Sequence, residues 1–168
     1  VAAQTVVWCA GMVARPLAAR LPGERDHWGR LPVDEFLKVK GLGDMYAAGD
    51  IAAANIDNGH TSVMSCQHAR PMGRFAGHNA VSDLLGEKSL PLHISWYSTC
   101  LDLGPEGAVQ TQGWNRLIVA TGAKAKEIKQ AREPNFWDDA SLEEIETMRE
   151  ALRDIVKHRD KGTPPSYE

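Results

Sequence analysis

Met45-Tyr46-Ala47-Ala48-Gly49-Asp50 is a run of small and apolar residues that ends in Gly-Asp, and its reading decides the fold assigned to the whole chain. It reads as a short strand whose end carries a carboxylate, the place where open α/β sheets set their ligands. Small residues there let a ligand's backbone lie close, and the carboxylate can accept hydrogen bonds from sugar hydroxyls. Taken alone, a Gly-Asp strand end is usually just a turn. Its company changes the reading. Upstream, in Gly29-Arg30-Leu31-Pro32-Val33-Asp34, the part Leu31–Asp34 offers an edge strand, because proline cannot donate to a ladder, and a turn-rich connection joins the two segments.

Downstream, past a polar loop through Asn58-Gly59, residues 65–85 read as a helix. Met72, Phe75, Ala76, Asn79, Ala80 and Leu84 recur at three- and four-residue spacing, and Gly86 stands where a helix stop belongs. Pro71 predicts either a kink or the start of a second helix. Toward the amino end, Val6 to Ala10 is a β-branched and aromatic run closed by Gly11, which reads as a buried strand. Between them, residues 14–30 read as loop with room for one helical turn.

From His93 to Ala120 the pattern changes to β-rich runs broken at Gly104-Pro105-Glu106-Gly107 and Trp114-Asn115-Arg116, as an antiparallel meander requires. After Pro134, Ser141-Leu142-Glu143-Glu144 is a capping-box pattern, followed by Ile145, Met148, Leu152 and Ile155 on one helical face. That tail helix nearly balances its acidic and basic residues and lacks interfacial aromatics, so packing on its own domain or on a partner subunit is preferred to membrane binding.

With 168 residues and 43% hydrophobic content the chain is long enough for one ordinary core and an appendage. A net charge of −3 excludes the basic excess that nucleic-acid binding needs. Cys9, Cys66 and Cys100 are odd in number and unpaired in spacing, which argues against a disulfide framework or a zinc site and fits a reducing cytoplasm. Nothing approaches the ~20 apolar residues needed to span a bilayer. The opening at Val1, running at once into an apolar segment, suggests a chain entered in mid-fold.

The Gly29–Asp34 and Met45–Asp50 segments, in that order, resemble the second flavin-binding signature of the pyridine nucleotide-disulfide oxidoreductase superfamily. Thr5-Val6-Val7-Trp8-Cys9-Ala10-Gly11 resembles the strand on which that family's chain returns from the nicotinamide domain to the flavin domain. The resemblance covers roughly residues 5–122, and within the superfamily it is nearest to type II NADH dehydrogenases. It implies that Asp50, preceded by Gly49, holds the flavin ribityl chain. It also implies that Ser65, Cys66 and Gln67, at the amino end of the helix, lie beside the isoalloxazine, with Gln67 matching the quinone-side glutamine. A helix amino terminus can stabilise a reduced anionic flavin. This sequence departs from the pattern at Cys66, where alanine is usual, and at Pro71, where a second glutamine is often found.

The implied fold is α/β: the C-terminal portion of a Rossmann-like FAD-binding domain over residues 1–90, an antiparallel β subdomain over 91–130 and a helical tail over 131–168. The implied function is part of a flavoprotein oxidoreductase that passes hydride from NAD(P)H to FAD and on to a quinone or other acceptor. No Gly-x-Gly-x-x-Gly occurs in the sequence, and that loop cradles a dinucleotide's pyrophosphate. A partner chain or amino-terminal region is therefore expected to carry the Gly-rich loops and most of the NAD(P)H site, and the isolated chain is expected to be inactive. Homo-oligomerisation, a cytoplasmic location and membrane contact no closer than peripheral complete the expectation. The alternative is a cofactor-free interaction or oligomerisation module derived from such an enzyme; a disulfide-reductase relative acting on a small thiol is a weaker third. His60 and His68 read as solvated or capping histidines rather than metal ligands, and Cys66 as a buried, unreactive thiol.

Overall fold

The computed structural model describes residues 4–7, 11–14 and 16–132, and the chain divides between Ile94 and Ser95 into two compact units.

In the first unit, Pro16–Ala19 forms a single helical turn (α1), as the Pro- and Gly-rich stretch allows. Leu31–Pro32 (β1) and Ala52–Ala53 (β2) pair in parallel over two residues each. Pro32 has no amide to extend the ladder, and the chain bends immediately: Asp34 Oδ1 accepts the amides of Phe36 and Lys38, each at 2.9 Å. Leu37 closes this turn at φ 69° while fully buried, so a strained backbone is held in place by the apolar packing around it. Single bridges Val33–Val39 and Lys38–Tyr46 then fold residues 31–47 into a tight meander.

The predicted strand at Met45–Asp50 does not form. Tyr46 makes one bridge, Ala48 is still extended, and Gly49 at φ 74° turns the chain into a 3-10 turn over Gly49–Ile51. A left-handed glycine cannot continue a ladder, so strand pairing resumes only at Ala52. The amino-terminal strand fares similarly: Val6 and Val7 are exposed outside any strand, and the rest of that run, 8–10, lies outside the described residues. A buried strand needs pairing neighbours on its edges, and the only parallel pairing among the described residues is β1 with β2.

Cys66–Leu85 is one continuous helix (α2), so Pro71 neither breaks it nor starts a second one. Gly86 caps it in the left-handed conformation, with the Glu87 amide on Ser82 O at 2.7 Å. Of the face predicted from spacing, Met72, Ala76 and Asn79 are buried, whereas Leu84 is exposed. Met72 and Ala76 join Leu31, Val33, Leu37, Val39, Ala47, Ala52, Ala54 and Ile94 in the core. Each large side chain removed from water there stabilises the unit by about 1.5–3 kcal/mol.

In the second unit, Ser98–Asp102 (β3), Ala108–Gln112 (β4) and Leu117–Thr121 (β5) form the predicted antiparallel meander in the order β3-β4-β5, with a bulge at Gln110/Thr111. A helix that the sequence reading did not assign, Gly122–Arg132 (α3), follows at once, and its Ala125 is fully buried. The Ala-, Lys- and Glu-rich run 123–127 carries the propensity that signals it. The tail helix predicted over 141–155 lies outside the described residues. The two units mix helix and sheet, in agreement with an α/β class.

Candidate functional site

Gly49 brings the Gly-Asp turn onto the start of α2. A Cβ added there would lie 3.5 Å from Ala69 Cβ, so the turn packs in van der Waals contact with the first turns of the helix. Asp50, the next residue, is exposed, and its carboxylate is open to solvent. The predicted site residues on the turn and on the helix therefore sit in one neighbourhood.

At the helix start, Ser65 is the cap residue with extended backbone (φ −161°, ψ 154°), and its carbonyl takes the amides of His68 and Ala69 at 3.1 and 2.9 Å. Its hydroxyl makes no capping bond: Ser65 Oγ is buried and has no hydrogen-bond partner among the described residues. An orphaned buried hydroxyl costs roughly 1–3 kcal/mol, so one at a helix amino terminus is a feature to be explained. Gln67 is half-buried. Cys66 is exposed, which corrects the reading of it as a buried thiol: as the first helical residue it projects from the turn rather than into the core.

His68 is fully buried, and burial lowers its pKa. The Val63 amide donates to its Nδ1 at 3.0 Å. A ring nitrogen that accepts carries no proton, so the neutral ring holds its hydrogen on Nε2. The reading of His68 as solvated or capping is thus half right: it anchors the segment before the helix, from inside. His60 is half-buried, with its side chain partly open to solvent, and its Nδ1 lies 2.8 Å from Asp57 Oδ1. The Gly59 amide and then His60 hold the Asp57 carboxyl below its usual value. These two residues belong to an open, polar concavity lined by residues 55–61, the loop that joins the Gly-Asp turn to the helix in sequence.

Sequence reasoning missed the residues that hold this region together. Arg30 is buried; its Nε and amide bond Asp26 at 2.7 and 2.9 Å, its Nη1 bonds Ser62 O at 2.6 Å, and its guanidinium lies 4.7 Å from the centre of the Trp28 ring. Burial raises the Asp26 carboxyl, but the hydrogen bonds from Arg30 outweigh it and leave the pKa lowered. Ser62 Oγ donates to Ala52 O at 3.1 Å and accepts the Ala54 amide at 3.2 Å. A lone arginine beside Leu-Pro gives no periodic signal; only tertiary structure places it against residue 62.

Among the described residues no cluster of His, Cys, Asp and Glu has the composition of a metal site, and no helix is long and apolar enough to cross a membrane.

The pyridine nucleotide-disulphide oxidoreductase family matches residues 1–73. An NADH dehydrogenase-like protein of Mycobacterium tuberculosis is 58% identical over 130 residues, which is 77% of this chain and 32% of that protein. A probable mitochondrial NADH-ubiquinone oxidoreductase of Schizosaccharomyces pombe is 34% identical over 54% of this chain and 19% of its own length. A demethylphylloquinone reductase of Synechocystis is 28% identical over 62% of this chain and 26% of its own length. The chain thus spans a third or less of the curated relatives it matches.

Proposed function

This chain belongs to the pyridine nucleotide-disulphide oxidoreductases and is similar to their NADH dehydrogenase-like members, and from that premise we propose that it forms the flavin-holding side of an FAD-dependent NAD(P)H oxidoreductase. The observation that carries the proposal is the meeting of Gly49 with the first turns of α2, which sets an exposed carboxylate beside a helix amino terminus.

The chemistry FAD supplies when bound is acceptance of a hydride from NAD(P)H and delivery of two electrons to a quinone or other acceptor. The donor set fits such a group. Asp50 offers acceptor oxygens for ribityl hydroxyls. The buried Ser65 hydroxyl has a hydrogen bond still to make, and the amino end of a 20-residue helix favours negative charge developing nearby. Gly49 lets backbone and ligand approach closely, and Cys66 and Gln67 stand at the same helix end. The relatives named as ubiquinone and demethylphylloquinone reductases support a quinone as acceptor. A region carrying Gly-rich dinucleotide loops completes the site, in the cytoplasm or peripheral to the inner membrane.

Visible absorption of the purified full-length polypeptide tests this reading. Flavin absorbance bleached by NADH is expected, and Asp50→Ala should weaken flavin binding by roughly ten- to a hundredfold, the range for losing a charged hydrogen-bond acceptor. A colourless protein that leaves NADH unoxidised overturns it. One observation favours the interaction-module reading instead: Leu101, Leu103, Leu117, Ile118 and Val119 are exposed on or beside the three-stranded sheet.

A further inference from the structure

We propose that Arg30 and Ser62 are positioning residues for the cofactor, splinting the Gly49–Ile51 turn to the amino end of α2 and so fixing the spacing between Asp50 and Ser65. The inference rests on the flavin reading above.

Two pieces of chain that must address one ligand are here separated by the loop 55–61, and that loop is open and polar. Loop packing alone would leave their spacing soft. Ser62 removes this freedom. Its hydroxyl bridges Ala52 O and the Ala54 amide, directly after the turn that carries Asp50, while its own chain runs three residues further to Ser65. Arg30 then fixes Ser62 from the other side through the carbonyl at 2.6 Å. Arg30 is itself immobilised by Asp26 and by the Trp28 ring, so its guanidinium is pre-organised rather than free to rotate. The last link is the Val63 amide on His68 Nδ1, which ties the segment to the first turn of the helix. Both ends of the open loop, at Ala52–Ala54 and at Ser62–Val63, are thereby bonded to a buried side chain. A buried arginine used only for stability would be weak design, since an apolar replacement often serves as well; one whose bond ends on a backbone carbonyl of the site-bearing segment specifies geometry.

The test uses the flavin-loaded full-length polypeptide and two variants, Ser62→Ala and Arg30→Lys. Amide hydrogen exchange is read at Ala54 and Val63, together with the rate of flavin release and the flavin's midpoint potential. Ser62→Ala should speed Ala54 exchange and flavin release by roughly tenfold, as expected for about one hydrogen bond's net worth, and shift the potential. Arg30→Lys should give the same changes in smaller measure, and it carries the test if Ser62→Ala does not fold. A wild-type protein without flavin overturns the functional reading and this inference with it. A flavin-bearing wild type whose variants exchange faster at Ala54 but keep the wild-type release rate and potential overturns this inference alone, since the splint then serves stability only.

Discussion

The two units solve the same problem, satisfying backbone hydrogen bonds, in opposite ways. The second unit does it with a ladder: three antiparallel strands of five residues each pair one another with a single bulge, and side chains contribute little. The first unit has almost no ladder, and buried side chains take its place. Arg30 holds the Ser62 carbonyl, Ser62 bridges Ala52 and Ala54, and Asn79 bonds Phe36 O, Leu90 O and the Leu90 amide at 2.9, 2.8 and 2.7 Å. The lesson is that irregular backbone near a site is stable only where polar side chains stand in for strand partners.

The largest effect belongs to the ladder unit and involves no polar side chain. Gly107 sits at φ 99°, and a Cβ there would lie 2.5 Å from the Gly122 carbonyl carbon, in backbone that cannot swing aside. Gly107→Ala should destabilise the second unit by about 4 kcal/mol, combining overpacking with left-handed strain. Chemical denaturation, with exchange read separately in each unit, checks this. If the substitution costs under about 1 kcal/mol, the close approach of the turn to the start of α3 is not what shapes the unit.

Next comes the clamp. Asn79→Ala should cost about 2 kcal/mol, because it takes the side-chain partner from three part-buried backbone groups at once rather than one. The loss should appear as faster exchange of the Leu90 amide and of α2 while the second unit keeps its protection. Unchanged exchange in α2 would break the comparison, since the first unit would then not depend on side chains in the place of strands.

The same division explains what the sequence disclosed. Elements carried by a period were legible: the stripe of Met72, Ala76 and Asn79 gave α2, Gly86 gave its stop, and alternating β-rich runs with Gly-rich breaks gave the meander. Residues whose importance lies in a long-range bond were not. By its spacing Asn79 is one more position on a helical face, although its amide reaches Phe36, 43 residues away. Arg30 is visible in the sequence only as a member of a motif, and Ser62 carries no signal there at all. The candidate site was legible as a pattern, Gly49-Asp50 before a helix starting at Ser65. Its geometry was not, because a left-handed Gly49 turns what reads as a strand end into a 3-10 turn.

A smaller effect separates the units by pH. Burial lowers the pKa of His68 from its ordinary 6.5, so the unfolded chain binds the proton more readily than the folded one. Its contribution is complete above that value and is lost as pH falls through it toward the folded pKa. Asp102 in the second unit is held far below the ordinary carboxylate value by Lys126, then the Gly104 amide, then Lys129. Its contribution survives until pH falls below the usual 3.8. Between pH 7 and 5 the first unit should therefore lose protection while the second does not. His68→Asn, which keeps an acceptor near the Val63 amide and does not titrate, should flatten that loss; a parallel decline in both units, or a decline unchanged in the variant, would remove His68 as its cause.

The smallest effect is the sharpest contrast with Asn79. Gln110, in the central strand β4, is as buried as Asn79, but its Nε2 reaches only the Thr111 carbonyl, at 3.2 Å, and its Oε1 has no partner among the described residues. Replacing Asn79 takes partners from three backbone groups that lie outside any ladder. Replacing Gln110 removes an amide oxygen already unsatisfied, in a strand whose backbone is paired on both sides by ladders that the side chain does not hold. Gln110→Leu, nearly equal in size, should therefore change the second unit's stability by less than about 1 kcal/mol, and in the stabilising direction if the lost desolvation penalty outweighs the single long hydrogen bond. A cost comparable to that of Asn79→Ala would mean that the ladder unit, too, leans on its buried polar side chains, and the distinction between the two ways of satisfying a backbone would fail.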